Sequence, residues 1–294
     1  MNEIAIAAEP AQWRGGFEER VLAGYRAAGC SERLARALLE RAVKGIDDWT
    51  VATDGEGWIA VGVTEDNGAT VGRIHDLTVP DGRAWAERWC AEHGAQRVEV
   101  RLTRGTGAEV FADYPVLGQN RMRAAAEEPE LPPGLTVRPL TEEEYPLWYA
   151  GQEAAYIADI VRAGALTPQQ AKEKSDQDFG RNLPQGFHSP GHAFYAMEAD
   201  GQVVGTGWLQ HGFLPGVTFG FSLDVREQHR GKGYGRAAMA LGEWATRQGG
   251  DEAMMFNVFG GNEIAMNLYD STGFAVLDEY RSLDLQPPGG RLER

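Results

Sequence analysis

One segment is the most informative about the fold and the chemistry of this chain: Val225-Arg-Glu-Gln-His-Arg-Gly-Lys-Gly-Tyr-Gly-Arg-Ala-Ala-Met239. It joins an apolar run, 217–225, which is typical of a strand, to a helix predicted over 234–248. Its glycines leave backbone N–H groups uncovered by side chains just ahead of that helix. Such groups, together with the helix dipole, favour a bound pyrophosphate. The three glycines are Gly231, Gly233 and Gly235.

The elements around this stretch predict a mixed fold. The second half of the chain has the predicted order strand, two helices, three strands, helix, strand, helix, strand. Such an order is typical of an α/β (α+β) fold, in which helices flank a mixed, mostly antiparallel sheet. The strands are predicted at 135–140, 193–197, 203–209, 217–225, 253–258 and 274–285, and the helices at 148–161, 168–179, 234–248 and 262–271.

Composition and charge fit a soluble protein and exclude several functional classes. The 294 residues suit two domains, and the 43 acidic against 28 basic residues give a net charge of −15. This balance disfavours nucleic acid and anionic membrane as partners. Cys30 and Cys90 are too few for a disulfide framework and lack metal-ligand spacing, so we expect no metal and a reduced, cytoplasmic setting. No signal peptide or apolar span is predicted, and we expect a monomer or homodimer.

An acidic, proline-rich segment at 124–134 predicts a linker between domains 1–130 and 131–294. The first domain repeats part of the order of the second, with strands at 49–53, 58–63, 69–79 and 97–102 and a helix at 85–93. We interpret this as an internal duplication. In the first copy the strand passes through Pro80-Asp81-Gly82 directly into a helix at Arg83. We therefore expect a degenerate copy without a seat for a pyrophosphate.

Two motifs carry a resemblance to a known family. Arg230-x-x-Gly233-x-Gly235, after a strand that ends at Val225, resembles the acyl-CoA signature of the GCN5-related N-acetyltransferase (GNAT) family. The later segment 257–274 is similar to that family's strand, helix-opening Asn262, and a tyrosine four residues before a Gly-Phe pair. The resemblance covers about residues 135–285. The layout of two tandem copies is similar to that of mycothiol synthases, but likeness of layout does not carry the substrate across.

The resemblance implies acetyl-CoA as the acyl donor and assigns roles to individual residues. Main-chain groups of Leu223 and Val225 would bind the pantetheine arm, and the Val225 amide would also polarise the thioester carbonyl. Asn262 would contact the pantetheine, or cap its helix. Tyr269 would protonate the departing thiolate, or simply pack as an aromatic. The pyrophosphate would be held by Arg230, Gly231, Lys232, Gly233, Tyr234, Gly235 and Arg236.

The implied reaction is direct attack by a primary amine in a ternary complex, which needs a base or a water chain. Strict alternation places Phe219 and Phe221 on the face where family members often carry Glu or His. We therefore expect no ionisable side chain on that face, and we expect Asp224 on the opposite face in a structural role. The remaining alternatives are His211, Glu153, Asp159 and a water-mediated proton transfer.

The segment ahead of the second-half strands mixes aromatic and acidic residues, which would suit a cationic amine. The sequence therefore favours an N-acetyltransferase that acts on a small-molecule amine. A protein lysine or N-terminal acetyltransferase and a non-catalytic acyl-CoA sensor stay open, the second because of the missing base. The residues concerned are Trp148, Tyr149, Tyr156, Phe179 and Phe187, with Glu153, Asp159, Asp176 and Asp178.

Overall fold

The computed structural model of the protein describes residues 3–66, 68–104, 107–126, 131–162 and 167–285. The first part of the chain, up to residue 124, contains three helices and six strands among these residues. Their bounds are β1 (Ala5–Ile6), α1 (Ala11–Ala27), α2 (Glu32–Ala42), β2 (Thr50–Thr53), β3 (Trp58–Asp66), β4 (Ala69–Leu77), α3 (Arg83–Glu92), β5 (Arg97–Thr103) and β6 (Val116–Ala124).

The second part repeats this order and adds one helix before its last strand. Its elements are β7 (Leu135–Pro139), α4 (Tyr145–Arg162), α5 (Pro168–Asn182), β8 (His192–Ala199), β9 (Gln202–Leu214), β10 (Val217–Val225), α6 (Tyr234–Gln248), β11 (Ala253–Phe259), α7 (Glu263–Ser271) and β12 (Ala275–Asp284). Both copies thus run strand, two helices, three strands, helix, strand. The described part of the chain has no helix that is apolar over enough length to cross a bilayer.

The described residues divide into two compact units. Unit 1 comprises those up to Ala124 together with those from Met255 onward, and unit 2 comprises Ala125–Met254. This differs from the linear division at residue 130. The reason is that β12, from the end of the chain, pairs antiparallel with both β5 and β6. The sequence locates a strand but does not name its partner.

Unit 1 is built on a sheet with the order β1-β2-β3-β4-β5-β12-β6-β11. Within it, β4 and β5 run parallel and pair over Val71–Ile74 and Arg97–Val100, and the last three residues of each strand lie beyond this pairing. The core contains Ile59, Val61 and Val98, all fully buried. The helix α3 packs against β4, where a Cβ at Gly72 would meet the Cys90 side chain at 2.6 Å.

Unit 2 carries the antiparallel order β10-β9-β8-β7. One face is covered by α4 and α5 through an aromatic core that includes Trp148, Phe179 and Trp208. The opposite face is covered by α6, whose glycine Gly242 lies so close that a Cβ there would collide with Met254. The predicted α/β fold class, with helices on a mostly antiparallel sheet, is confirmed.

Candidate active site

The connection between β10 and α6, residues 226–233, adopts a conformation that requires its glycines. A short 3-10 turn, Glu227–His229, is followed by Gly231 at φ +74° and Gly233 at φ +86°. Residues other than glycine rarely adopt such positive φ values, because their Cβ comes too close to the backbone. No side chain caps α6 at Gly233. The helix therefore begins with bare backbone directed at the loop.

The amide N–H groups of residues 231–235 donate to no acceptor in the described part of the chain. The next amide, that of Arg236, donates to the Gly233 carbonyl at 3.2 Å. Unpaired amides at a helix N-terminus are suited to an anion. Three cationic side chains flank them: Arg230, Lys232 and Arg236. None of the three forms an ion pair with a described carboxylate, although Arg230 Nε donates to the Val225 carbonyl at 3.2 Å.

The helix that carries these amides is held firmly. Its inner face is buried through Ala238, Leu241 and Ala245. At its far end Arg247 donates to the carbonyls of Ala125 and Ala126 at 2.7 and 2.8 Å. Because the supporting helix is fixed along its length, the loop presents its amides from a rigid base, which is what electrostatic stabilisation requires.

Strand β10 contains a β-bulge at Phe221, which changes the face of every residue after it. Gly220 pairs with Leu209 and Ser222 with Trp208, so Phe221 is the extra residue. Phe221 nevertheless stacks on Trp208, with ring centroids 4.3 Å apart, on the face of α4 and α5. Strict alternation along the strand would also place Leu223 on the face of Phe219 and Phe221, and the bulge makes this expectation wrong. A Cβ at Gly242 of α6 would lie 3.0 Å from Leu223 Cδ1, on the other side of the sheet.

The same bulge brings Asp224 onto the α4/α5 face. Asp224 pairs with Thr206, which shares its face with Trp208, and its Oδ2 accepts a hydrogen bond of 2.7 Å from Gln152 Nε2 of α4. The expectation of an acid-free face with Asp224 opposite is therefore wrong, because alternation cannot register an inserted residue. The Asp224 carboxylate is exposed and forms no ion pair within the described ranges. The hydroxyl of Ser222, two residues before Asp224 in the strand, is buried and has no hydrogen-bond partner among the described residues.

The backbone of Leu223 and Val225 faces away from β9. The Arg226 amide donates to the Val204 carbonyl at 2.9 Å, which marks a hydrogen-bonded position. In an antiparallel pair such positions alternate, so the N–H and C=O groups of Leu223 and Val225 point to the other edge of β10. This orientation fits the predicted contacts to a pantetheine arm.

His211, the first alternative base, lies at the other end of β10. Its Nδ1 is 2.9 Å from Thr218 Oγ1, and that hydroxyl donates to Asp251 Oδ2 at 2.6 Å. Burial lowers the pKa of His211, so the ring is neutral at pH 7. The six residue steps from Phe219 to Val225 span roughly 20 Å of strand. His211 therefore belongs to a polar cluster that ties the β9–β10 hairpin to the end of α6.

The acidic residues considered as alternative bases, and the aromatic residues near them, mostly make contacts within the protein. Glu153 lies 3.6 Å from Lys172 Nζ, and Asp178 accepts hydrogen bonds from Tyr156 and Arg181. Asp159 also has an interaction partner. Trp148, Tyr149, Tyr156, Phe179 and Phe187 pack on one another in the core of unit 2. A cationic amine would therefore gain less from these residues than their number suggests.

His192 also lies on the same face as Asp224. It pairs with Gln210 at the start of β8, and its ring centroid is 5.6 Å from that of Phe221. Its Nδ1 accepts a hydrogen bond of 2.9 Å from Trp208 Nε1, and burial lowers its pKa. The neutral ring therefore carries its proton on Nε2 and acts there as a donor, not as a base. No sequence motif marks this histidine.

Asn262 and Tyr269 lie in unit 1. The Asn262 side chain accepts a hydrogen bond of 3.1 Å from the Ala265 amide and so caps α7. Tyr269 stacks on Phe256, with centroids 5.1 Å apart, and is half-buried. Both structural readings from the sequence are thus observed, and the predicted roles of the two residues toward a cofactor stay predictions. Among the described residues no cluster of His, Cys, Asp or Glu could hold a metal ion.

Comparisons with known proteins identify the family. Residues 156–274 match the family model of the acetyltransferase (GNAT) family. The chain is 30% identical over 156 residues to the uncharacterized N-acetyltransferase YycN of Bacillus subtilis, covering 51% of this chain and 99% of the relative. It is 26% identical over 283 residues to a mycothiol acetyltransferase of Pseudarthrobacter chlorophenolicus, covering 94% of this chain and 71% of that relative.

A solved GCN5-related N-acetyltransferase from Sphaerobacter thermophilus has the same fold over nearly the whole length. The TM-score is 0.53 at 18% identity, and the match covers 98% of this chain and 96% of the other. The loop and the start of α6 hold unpaired amides and cations that pair with no carboxylate among the described residues, as an anion site requires. The chain belongs to the GNAT family of acetyltransferases and is an acyltransferase.

Proposed function

We propose that the protein is an acetyl-CoA-dependent N-acetyltransferase that acetylates a primary amine of a small molecule. The observation that carries this proposal is the row of five unpaired amides, 231–235, at the start of α6. In a chain with a net charge of −15, three cations at this helix start pair with no carboxylate in the described part of the chain. A diphosphate is the ligand that such a site favours.

The amides of residues 231–235 and the side chains of Arg230, Lys232 and Arg236 would hold the pyrophosphate of coenzyme A. Main-chain groups of Leu223 and Val225 would bind the pantetheine arm as an added strand, since they point away from β9. Acetyl-CoA, when bound, supplies an acyl thioester to a nucleophile. The Val225 amide would donate a hydrogen bond to the thioester carbonyl oxygen, where negative charge develops.

Asp224 would receive the acceptor amine. It stands on the α4/α5 face immediately before Val225, so its carboxylate is one residue from the amide that would polarise the carbonyl. An exposed carboxylate without a cationic partner attracts the ammonium form of an amine and can accept its proton. The neutral Gln152 amide orients Asp224 through the 2.7 Å hydrogen bond and leaves its negative charge uncompensated.

Asn262 is proposed to contact the pantetheine, and Tyr269 is proposed to donate a proton to the departing thiolate. In model compounds a tyrosine hydroxyl, with a pKa of about 10, is only a slightly weaker acid than a thiol near 8.5. A tyrosine positioned beside the sulfur can therefore donate its proton as the thiolate departs. A face without an ionisable group would favour a non-catalytic sensor, and Asp224 supplies such a group on that face.

A thiol-release assay with acetyl-CoA and a panel of small primary amines tests this function. The two cysteines will not disturb a thiol-reactive dye, because both are buried and burial raises the pKa of Cys30 to about 11 and that of Cys90 to about 12. Turnover with a small amine, and a mass increase of one acetyl group on it, is the expected result.

Peptides with a free lysine or N-terminal amine form the comparison set. Turnover with peptides alone would show a protein acetyltransferase instead. Binding of coenzyme A without turnover of any amine or peptide would show a sensor. Either result would contradict the proposal.

A further inference from the structure

Unit 1 contains a pocket of about 240 Å³ whose walls carry an unusual charge for this protein. Four cations line it, two from the end of α2 and the turn after it and two from neighbouring strands: Arg41, Lys44, Arg73 and Arg101. A single carboxylate, Glu99, lies among them. We call this the basic pocket. In a chain with 43 acidic and 28 basic residues, such a cluster runs against the overall balance.

The Glu99 carboxylate does not neutralise the basic pocket. One of its oxygens is 2.6 Å from Arg73 and the other is 3.0 Å from Arg97, a cation outside the pocket lining. Its single charge is therefore shared between two guanidinium groups. Lys44 forms no ion pair with a described carboxylate and Arg101 only a long contact of 3.9 Å with Asp278, so the local field at these two cations favours an anion.

Arg101 is the cation with the most unused hydrogen-bonding capacity. Its side chain is 22% exposed, and its Nε is 3.9 Å from Asp278 Oδ1. Among the described residues its guanidinium makes no hydrogen bond, although it offers five N–H donors. Asp278 meanwhile accepts a hydrogen bond from the Tyr25 hydroxyl at 3.0 Å. A guanidinium held in a pocket with free donors is a fork for carboxylate or phosphate oxygens.

The rest of the lining favours a small organic anion. Trp49 stacks on His75 with ring centroids 3.6 Å apart and forms a flat wall, and Tyr280 also lines the pocket. Burial and the neighbouring arginines lower the pKa of His75 to about 3, so the ring adds no charge at pH 7. The volume is below the roughly 300 Å³ at which sites for drug-sized ligands begin.

We propose that the basic pocket of unit 1 binds a small organic anion through a carboxylate or phosphate group, with Arg101 and Lys44 as principal contacts. Unit 1 would then be a ligand-binding module in its own right. This inference does not depend on the acetyltransferase proposal, because the residues involved belong to unit 1 and not to the loop of unit 2.

Isothermal titration of the full chain with succinate and, separately, with inorganic phosphate tests the inference. We expect saturable binding of at least one of the two, which also distinguishes a carboxylate from a phosphate ligand. Arg101→Gln should weaken it at least tenfold and Lys44→Gln about threefold. The matched control is Arg33→Gln, which removes the same charge from an exposed position on α2 and should leave the affinity unchanged.

The second variant keeps the test decisive if Arg101→Gln fails to fold, since Lys44 is exposed and forms no ion pair with a described carboxylate. The same titrations in a Gly233→Val chain locate the bound anion. Binding that survives this change supports the basic pocket. The inference is overturned if neither probe binds, if all variants bind equally well, or if Gly233→Val abolishes binding, which would place the anion at the loop of unit 2.

Discussion

The two copies of the strand–helix connection differ in what covers the helix start. In unit 2, the five amides of residues 231–235, at the end of the connection and the start of α6, donate to no acceptor among the described residues. In unit 1, residues 78–82 join β4 to α3, and the Gly82 amide donates to the Val79 carbonyl at 3.1 Å. A Cβ at Gly82 would lie within about 3.0 Å of the side chains of Ile59, Leu77 and Val79. One helix start is open to an anion, and the other is packed with apolar side chains.

The cations next to the two helix starts differ in the same sense. Arg83, the first residue of α3, contacts Glu87 at 2.6 Å and both oxygens of Asp113 at 2.5 and 2.7 Å. Arg230, Lys232 and Arg236 at α6 have no such partners among the described residues. Two copies of one fold therefore need not share an anion site. Such a site depends on the length of the loop and on amides and cations that have no other partner.

Both copies nevertheless keep a bulge in the strand before the connection. In β4 the extra residue is His75, between the pairs Ala60–Asp76 and Val61–Ile74. The acid that follows is held differently, because Asp76 Oδ2 accepts hydrogen bonds from Trp13 at 2.7 Å and Arg20 at 2.5 Å. Asp224 of unit 2 has a neutral partner. The retained bulge and the altered partners indicate one ancestral strand with two later uses.

The largest expected effect concerns the loop of unit 2. Gly233→Val places a β-branched side chain at φ +86°, which should disrupt the row of amides and weaken coenzyme A binding more than 100-fold. Isothermal titration measures it. Gly250→Val, at φ +78° just past the other end of α6, imposes a similar strain and should leave affinity intact. Equal losses in both variants would contradict the loop assignment.

A second large effect concerns the acid of unit 2. Asp224→Asn keeps the shape of the side chain and one oxygen that can accept from Gln152 but removes the charge, so kcat should fall about 100-fold while the affinity for coenzyme A stays the same. Steady-state kinetics and titration give the two numbers. Glu143→Gln, an exposed acid of unit 2, serves as control. Unchanged turnover in Asp224→Asn would remove Asp224 as the base.

His75, the bulge residue of unit 1, should make the free energy of unfolding depend on pH. The pKa of His75 is about 3 in the folded state against about 6.5 when unfolded, so below pH 6.5 the unfolded chain binds a proton that the folded chain refuses. The free energy of unfolding should therefore fall as the pH drops from 6.5 toward 3, by as much as roughly 4 kcal/mol.

Urea unfolding monitored by tryptophan fluorescence at a series of pH values measures this slope. His75→Phe, which installs the ring type of the unit 2 bulge, should flatten it, whereas His93→Phe at the exposed end of α3 should not. A slope that is the same in all three chains would show that the burial of His75 is not what limits stability in acid.

The smallest effect concerns the strained acid of the unit 1 connection. Asp81 has φ +58°, so Asp81→Gly should raise the free energy of unfolding by less than 1 kcal/mol. Asp200→Gly, at φ +50° in a turn of unit 2, should behave alike. The change should not create a second coenzyme A site, because the connection stays short. Binding of coenzyme A at unit 1 in this variant would contradict the inference that the short connection excludes a second site.

The loop, its cations and its position between β10 and α6 could be predicted from the sequence, because glycine spacing and an apolar strand are local signals. The bulge could not, since one inserted residue leaves the hydrophobic pattern of β10 nearly unchanged. For the same reason Asp224 was assigned to the opposite face. The placement of β12 in unit 1 was also out of reach, because strand pairing is not local.

The helices α1 and α2 were missed although one of them carries a usable signal. Trp13, Phe17, Val21 and Tyr25 recur every four residues and are all buried in α1. Glycines at 15, 16 and 24 lower the helix propensity of the same segment and obscure the pattern. Tertiary burial of the aromatic stripe stabilises this helix despite its glycines.

The number of coenzyme A molecules bound per chain tests the central claim most directly. If only the loop of unit 2 holds a pyrophosphate, isothermal titration of the full chain should give one site per chain, lost in Gly233→Val. Two sites per chain, or a single site that Gly233→Val leaves intact, would contradict the account.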